Sequence, residues 1–305
     1  MGNIDELVGV LPALVSPLTR EGAVDQPAVV RLVEHVVDGG VTGLLVLGST
    51  GETASLDEPS RRAMLSGVVE AARGRVPVIC GVVQSHLRAA MTEVEAAVRS
   101  GAAAALVTPP FYYPIDQASV LAFYRALAAE SRIPILLYNI PQNTKIVAEP
   151  ETVSTLAHEG VIAGIKDSSR DFEYFERVCI LMRDLPGFRT FTGSDTMLLP
   201  SLVMGASGTI CGGANVAPQW IVRIHDEFRR GELAAARMHQ DEVVQLIMRL
   251  RGGVFPGSIK AALAAMKICE PWLAPPIAPF DKPSSDALAE WLQGKGLLVG
   301  VSKSV

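Results

Sequence analysis

The chain has 305 residues and a net charge of −5, without a block of basic side chains. Nucleic-acid-binding surfaces usually carry a basic patch, so we expect no nucleic-acid partner. Hydrophobic residues make up 49% of the chain, yet no apolar run reaches the roughly 18 residues of a membrane span and the N-terminus does not resemble a signal peptide. The cysteines form no CxxC pair, which is typical of reduced thiols, so the sequence predicts a cytoplasmic protein without a membrane partner.

Short apolar runs bounded by glycine or proline alternate along the chain with helix-length amphipathic segments. Such runs are typical of the buried strands of a parallel sheet. The eight predicted strands, in chain order, are Val8–Val15, Gly43–Leu47, Val76–Val82, Ala104–Val107, Ile133–Tyr138, Ile162–Lys166, Arg189–Thr192 and Gly208–Cys211. Helices are predicted between them, because Asp25 and Asp57 each precede a proline in a first helical turn. Asn215 is the predicted cap of the helix after the eighth strand.

Eight strand–helix units with right-handed crossovers close into a barrel, so the predicted fold class is α/β, a (β/α)8 TIM barrel. An open doubly wound sheet is the alternative. It requires a nucleotide-binding glycine loop after the first strand, and the segment 16–22 (SPLTREG) is no such loop. We assign residues 1–230 to the catalytic barrel. Residues 231–305 contain further helical patterns and are predicted to form a helical extension packed on the barrel.

Polar residues collect where the predicted strands end. In TIM barrels the active site lies at the carboxyl ends of the strands. The segments that follow strands two, four, five, six, seven and eight are 48–52 (GSTGE), 108–113 (TPPFYY), 138–139 (YN), 166–169 (KDSS), 193–195 (GSD) and 212–213 (GG). We therefore expect hydroxyls, phenols and one amine to converge at this end of the barrel.

Lys166 is the strongest single candidate for catalysis, because it ends the apolar strand GVIAGIK. An ammonium group in apolar surroundings loses its proton more readily, since desolvation disfavours the charged form. The neutral amine can attack the carbonyl carbon of a ketone and form a Schiff base. The alternative is a structural lysine that forms an ion pair with Asp167 or Asp195.

Tyr138 ends the neighbouring strand at an equivalent height and offers a phenol for proton transfer, although an aromatic residue at the edge of the core is the alternative. The GSTGE turn offers backbone N–H groups and the hydroxyls of Ser49 and Thr50, which suit a carboxylate. A tight turn would need the same glycines. The histidines all fall in predicted helices: His35, His86, His158, His225 and His239. A metal-dependent aldolase needs imidazoles at the barrel mouth, so we expect no catalytic metal.

Five segments, in this order and spacing, resemble the dihydrodipicolinate synthase / N-acetylneuraminate lyase superfamily of class I Schiff-base aldolases. They are GSTGE (48–52), PPFYYP (109–114), YNIP (138–141), GIKDSS (164–169) and TGSD (192–195), and the resemblance covers nearly the whole chain. It implies a lyase in which Lys166 forms an imine with pyruvate or another 2-oxo acid. The covalent imine supplies the chemistry, so the resemblance implies no cofactor.

The resemblance also implies roles for the matching residues. Tyr138 would transfer protons and be linked through Thr50 to a second tyrosine from a neighbouring subunit, for which Tyr112 is our choice and Tyr113 the alternative. Ser49 and Thr50 would hold the substrate carboxylate. The remaining predicted substrate-binding residues are Gly51, Asn143, Ser168, Gly193, Asp195 and, through its carbonyl, Ile210. Family members usually form homotetramers built as dimers of dimers.

The chain departs from the synthase proper at Asn143, where the synthase has an arginine that binds the carboxylate of aspartate semialdehyde. Loss of a bidentate contact argues against that substrate, and Lys145 offers only a point charge. The DSS after the lysine replaces EAT and resembles members that act on 4-hydroxy-2-oxo acids and 2-keto-3-deoxy sugar acids. We therefore expect aldol cleavage or condensation of such an acid, with dihydrodipicolinate synthase and a dehydratase as alternatives.

Two hypotheses of other classes stay open at the level of sequence. A pyridoxal-phosphate barrel also uses a lysine imine, and Gly212 and Gly213 offer a phosphate cradle after the eighth strand. A non-catalytic barrel that binds a small acid is the other hypothesis. Binding alone needs no nucleophile, so the combination of Lys166, Tyr138 and Thr50 argues against it.

Overall fold

The computed structural model describes residues 4–298. Its eight parallel strands are β1 Gly9–Pro12, β2 Leu44–Val46, β3 Val78–Val82, β4 Ala104–Val107, β5 Ile135–Asn139, β6 Gly164–Asp167, β7 Arg189–Thr192 and β8 Gly208–Cys211. From β2 to β8 each strand pairs with the next, and β8 pairs with β1. A parallel bridge between Ala13 and Leu45 joins the chain beyond β1 to β2. The predicted (β/α)8 TIM barrel is confirmed.

Helices surround the barrel and follow its last strand. Their bounds are α1 Gln26–Asp38, α2 Glu58–Ala72, α3 Leu87–Arg99, α4 Gln117–Glu130, α5 Pro141–Thr144, α6 Pro150–His158, α7 Phe172–Leu181, α8 Leu198–Val203, α9 Pro218–Arg229, α10 Leu233–Leu250, α11 Gly257–Ala265 and α12 Lys282–Gly294. Asp25 and Asp57 cap α1 and α2 as predicted, because each carboxylate accepts a backbone N–H from the first turn. Within residues 4–298, no helix combines the length and apolar character needed to cross a membrane.

The strand side chains alternate between two cores. In β5, Ile135 and Leu137 pack in the layer between sheet and helices, whereas Leu136 and Tyr138 pack inside the barrel. The barrel interior also contains Leu11, Leu45, Ile79, Leu106, Phe191 and Ile210. Bulky apolar side chains therefore fill the barrel, and a ligand has room only at an end of the strands.

Two local predictions are wrong. Asn215 does not cap α9, whose N-cap is Ala217. The buried Asn215 side chain instead donates to the Ala13 carbonyl at 2.7 Å and accepts from the Val15 amide at 3.1 Å, so it ties the end of β8 to β1. His86 lies just outside a helix, because it is the N-cap residue of α3.

Candidate active site

The side chains of Lys166 and Tyr138 meet at the carboxyl end of the barrel. The register of β5 and β6 places the two residues side by side, so both side chains leave the same face of the sheet. The Lys166 amine donates to the Tyr138 hydroxyl oxygen at 3.2 Å, and both residues are buried. In the part of the chain that the structure describes, Lys166 forms no ion pair with Asp167 or Asp195, whose carboxylates bond to other groups.

The GSTGE turn after β2 brings hydroxyls to the same place. Glu52 has a φ of 56°, a left-handed conformation that closes the turn. The Ser49 Oγ lies 3.3 Å from the Tyr138 hydroxyl oxygen, so a chain of polar atoms runs from Lys166 through Tyr138 to Ser49. Thr50 is buried beside them, but within residues 4–298 no hydrogen bond joins its hydroxyl to Tyr138. The role of Thr50 as a link therefore stays a prediction.

These side chains line a cavity of about 460 Å³. Small-molecule sites typically enclose about 300–1,000 Å³, so the volume suits a compact substrate. The predicted site residues in its wall are Ser49, Thr50, Tyr138, Asn143, Lys166, Ser168, Gly193, Asp195 and Ile210. Gly51 is not in the wall. Its carbonyl accepts a hydrogen bond from the buried Ser16 hydroxyl at 2.7 Å, so this glycine shapes the turn.

The segment after β7 forms one side of the cavity. A Cβ at Gly193 would lie 2.0 Å from the Ser168 Oγ, so a larger residue there would displace the Ser168 side chain. Asp195 is buried, and its Oδ1 accepts the Gly213 amide at 2.8 Å. Burial raises the pKa of Asp195, although hydrogen bonds from Cys211 and Gly213 and the Lys166 charge act in the opposite direction. Asp195 thus fixes the loop after β8 in place.

A second buried carboxylate, Asp167, lies directly after the candidate nucleophile but bonds away from it. Its Oδ1 accepts from the Asn139 side-chain amide at 2.8 Å and its Oδ2 from the Ser169 hydroxyl at 2.9 Å. Burial raises its pKa from 3.8 to about 6. Sequence reasoning named Asn139 only as a strand end. Asn139 reaches Asp167 because the register of β5 and β6 places the two residues opposite each other.

Tyr112 and Tyr113 lie outside the cavity wall. The exposed fraction is 82% for Tyr112 and 74% for Tyr113, and the two rings contact each other edge to face with centroids 5.0 Å apart. Tyr112 also has a φ of 83°, which is unusual for a bulky residue. Among residues 4–298 neither phenol has a hydrogen bond to Tyr138, so the choice between them as the relay tyrosine stays a prediction.

A buried ion pair beneath the GSTGE turn was not anticipated from the sequence. The Lys260 ammonium of α11 lies 2.5 Å from the Glu52 carboxylate, and both side chains are almost fully buried. Lys260 also donates to the Trp272 carbonyl at 2.6 Å, and Glu52 accepts the Ala274 amide at 2.7 Å. The C-terminal helices thus hold the turn that carries Ser49. No local pattern signals this contact, because 222 residues separate Glu52 from Ala274.

Two arginines, Arg170 and Arg251, line the cavity and were also missed. Arg170 follows β6, and Arg251 follows α10. Lys145, which the sequence offered as a replacement for the synthase arginine, is not in the wall. Its ammonium donates to the Gln142 carbonyl at 2.8 Å instead.

In the described part of the chain, no histidine or cysteine lines the cavity. Within residues 4–298 no three His, Cys, Asp or Glu side chains are grouped as metal ligands. The cysteines are buried and unpaired. The groups that reach the cavity are therefore an amine, a phenol, hydroxyls, amides, guanidiniums and the Asp195 carboxylate.

Comparisons with known proteins point to one family and to the same fold. The model of the dihydrodipicolinate synthetase family matches residues 6–295. A 4-hydroxy-tetrahydrodipicolinate synthase from Hyphomonas neptunium is 36% identical over 282 residues, covering 92% of this chain and 94% of that protein. Among solved structures, YagE is a prophage protein of the dihydrodipicolinic acid synthase family from E. coli K12, in complex with pyruvate. It is 27% identical with a TM-score of 0.91, covering 95% of this chain and 99% of that one. A monomeric dihydrodipicolinate synthase variant is 29% identical with a TM-score of 0.93, covering 97% and 99%.

Proposed function

Because the chain belongs to the dihydrodipicolinate synthetase family and is a lyase, we propose that Lys166 forms a Schiff base with pyruvate or a related 2-oxo acid. The observation that carries this proposal is the contact of 3.2 Å between the buried Lys166 amine and the Tyr138 hydroxyl, in the wall of the cavity. A buried amine beside a proton-transferring phenol is what imine formation requires, whereas simple binding of an acid requires neither.

The reaction begins when the neutral Lys166 nitrogen attacks the C2 carbonyl carbon of the 2-oxo acid. Tyr138 passes a proton to the resulting alkoxide and takes one back from the attacking nitrogen, which gives a neutral carbinolamine. It then protonates the carbinolamine hydroxyl, which leaves as water while the nitrogen lone pair forms the C=N bond of the protonated imine. Ser49 lies next to Tyr138 and receives or returns the proton. The hydroxyls of Ser49 and Thr50 hold the substrate carboxylate beside the new imine.

The imine then acts as an electron sink for carbon–carbon chemistry. In cleavage of a 4-hydroxy-2-oxo acid, the C4 hydroxyl loses its proton, the C3–C4 bond breaks, and its electron pair forms an enamine with release of an aldehyde. Protonation of C3 and hydrolysis of the imine release pyruvate and restore the amine. Condensation follows the same steps in reverse. We propose a 4-hydroxy-2-oxo acid or a 2-keto-3-deoxy sugar acid as the substrate, and no cofactor is needed for these steps.

Borohydride reduction of the protein with pyruvate, followed by intact mass and peptide mapping, tests the proposal. We expect one reduced pyruvyl adduct, located on Lys166. Lys260 is an internal control, because it is buried but paired with Glu52. An adduct on Lys260, or no adduct with pyruvate or longer 2-oxo acids, would contradict the mechanism.

Condensation of pyruvate with aspartate semialdehyde is the second candidate function. It is favoured by the 36% identity to a 4-hydroxy-tetrahydrodipicolinate synthase. Against it, the position of the synthase arginine is occupied by Asn143, which lines the cavity without a charge. The ratio of kcat/KM for aspartate semialdehyde and for sugar-derived aldehydes, each with pyruvate, decides between the two functions.

We further propose a homotetramer built as a dimer of dimers, in which a neighbour supplies the second tyrosine. The exposure of Tyr112 and Tyr113 supports a contact at this point. A cytoplasmic location also belongs to the proposal, and the unpaired cysteines support it.

A further inference from the structure

Two guanidinium groups lie on the solvent-exposed side of the cavity that Lys166 lines. Arg170 follows Lys166 by four positions in the loop after β6, and Arg251 follows the C-terminal end of α10. Both residues are exposed, whereas Lys166 is buried. The two arginines therefore stand at the opening of the cavity, and the amine stands at its closed end.

Neither arginine has an acidic partner among residues 4–298. Arg170 has no hydrogen bond or ion pair there, and Arg251 makes only a weak contact of 3.7 Å with the Met248 sulfur. By contrast, other arginines of the chain pair with carboxylates, as Arg125 does with Glu159. Two guanidiniums in one cavity wall are thus available to an anion from outside the protein.

The backbone at Arg170 adds a second, independent observation. Its φ is 65°, in the left-handed region that glycine adopts without steric cost. A non-glycine residue held in this conformation beside a candidate active site is a reason to look for a function of its side chain.

The charges of the cavity wall point in the same direction. The chain as a whole carries a net charge of −5. Besides the Tyr138 phenol, however, the ionisable groups in this wall are three basic side chains, Lys166, Arg170 and Arg251, and one carboxylate, Asp195. Burial raises the pKa of that carboxyl group and so favours its neutral form. A concave surface with an excess of positive charge attracts anionic substrates.

We propose that Arg170 and Arg251 form an anion subsite that binds a second acidic group, at the end of the substrate opposite to the 2-oxo acid. The inference rests on the proposed function for the placement of the 2-oxo acid at Lys166. The subsite replaces, from two different elements, the guanidinium that Asn143 cannot supply. It defines the substrate class as a 2-oxo acid with a distal carboxylate or phosphate.

Calorimetric titration with matched ligands tests the subsite without turnover. The carboxylate arm compares 2-oxoadipate with 2-oxohexanoate, which lacks the distal charge. The phosphate arm compares 2-keto-3-deoxygluconate with and without a 6-phosphate in the Lys166→Met protein. The carboxylate-arm ligands are titrated into the parent protein and its Arg170→Gln, Arg251→Gln and Arg249→Gln variants. The phosphate-arm ligands are titrated into the Lys166→Met protein and the same three arginine variants made in the Lys166→Met background. Arg249 is the matched control, because it is also exposed at the end of α10 but does not line the cavity.

In at least one pair, we expect the ligand with the distal anionic group to bind about tenfold or more tightly than its counterpart without that group. Arg170→Gln and Arg251→Gln should each remove most of that preference. Neither variant should change the affinity for the ligand that lacks the distal group, and Arg249→Gln should change neither affinity. The pair that shows the preference identifies carboxylate or phosphate as the ligand. Equal affinities within both pairs, or equal losses in all three variants, would overturn the subsite. If only the borohydride experiment fails, the imine mechanism is wrong and the anion subsite still stands.

Discussion

Two buried tyrosines use their hydroxyl groups in different ways. Tyr138 receives a hydrogen bond from the Lys166 amine and lies beside Ser49 in the cavity. Tyr124 is equally buried, but its hydroxyl donates to the Val107 carbonyl at 2.7 Å, away from the cavity. Comparison of the two residues therefore distinguishes a phenol with a proposed chemical role, Tyr138, from one with a structural role, Tyr124.

We expect Tyr138→Phe to lower kcat by roughly 10²–10⁴-fold, because it removes the group that transfers protons during imine formation. The urea midpoint should change little. Tyr124→Phe should do the reverse, lowering the free energy of unfolding by about 1 kcal/mol through loss of the hydrogen bond to the Val107 carbonyl and leaving kcat intact. Steady-state kinetics and urea unfolding of both variants measure the two effects. Retention of full activity by Tyr138→Phe would remove this phenol from the mechanism.

Asp167 makes stability depend on pH. Its pKa rises from 3.8 to about 6 in the folded protein because it is buried. The folded state then binds more protons than the unfolded state between these two pH values, so stability falls as pH rises through this window and stays lower above it. This pKa difference lowers the free energy of unfolding at neutral pH by on the order of 3 kcal/mol.

Asp167→Asn should abolish that loss, because the amide resembles the protonated acid. Its oxygen can accept from Asn139 and from the Ser169 amide, and its NH₂ group can donate to the Ser169 hydroxyl oxygen. We expect the variant to be more stable than the parent at pH 7.5 and equal to it near pH 4. Urea unfolding across this range gives the difference. A constant difference at every pH would show that Asp167 does not titrate as described.

At the scale of elements, the turn after β2 depends on α11. Lys260 and Glu52 are almost fully buried and contact each other, so removing one partner leaves an unpaired charge in the core. Lys260→Met should therefore lower the free energy of unfolding by about 3–5 kcal/mol. Because Glu52 ends the GSTGE turn, the KM for pyruvate should also rise.

The double variant Glu52→Gln/Lys260→Met is the control for this prediction. It removes both charges, and the glutamine oxygen can still accept the Ala274 amide. We expect it to recover most of the lost stability and to bring the KM back towards the parent value. If the double variant is no more stable than Lys260→Met, the cost comes from the packing of the lysine side chain and its hydrogen bond to the Trp272 carbonyl, and not from the unpaired carboxylate.

The elements also show what the sequence could predict. Most of the strands were predictable because they are short apolar runs, although β7 (RTFT) is not one. Lys166 was predictable because it ends the apolar run of β6. Asn215 was misassigned, because its position before a proline signals a helix cap while its side chain bonds to Val15, 200 residues away. Arg170 and Arg251 carry no local pattern. Only the closed barrel and the return of the chain after α10 bring them into one cavity.

At the scale of the whole molecule, the helices after the barrel are tied to its loops. Gln240 of α10 accepts the Leu199 amide at 2.9 Å and donates to the Asp195 carbonyl at 3.0 Å, and both contacts are shielded from solvent. Together with Lys260, it fixes loops on two sides of the cavity. On the basis of these contacts we propose the division into a barrel of residues 1–230 and a C-terminal extension of residues 231–305 packed on it. The ends of both ranges, residues 1–3 and 299–305, lie outside the described residues.

The exposed ring pair of Tyr112 and Tyr113 relates assembly to catalysis. Apolar side chains presented together in this way are typical of a surface that contacts another protein. If a second copy of the chain covers them, Tyr112→Ser and Tyr113→Ser should both weaken the oligomer, measured by sedimentation velocity. If Tyr112 also relays protons in the neighbouring site, only Tyr112→Ser should slow formation of the Lys166 adduct, at protein concentrations where both variants remain assembled.

The reverse result, with Tyr113→Ser slowing adduct formation and Tyr112→Ser not, would exchange the roles of the two residues. A parent protein that sediments as a monomer and forms the adduct at full rate would remove the neighbour from the mechanism. The proton chain would then end within one subunit, at Ser49, because the Ser49 hydroxyl contacts Tyr138 and lines the cavity. Ser49→Ala in a monomeric protein should therefore slow adduct formation as strongly as Tyr138→Phe, whereas in a tetramer that relays through Thr50 it should not.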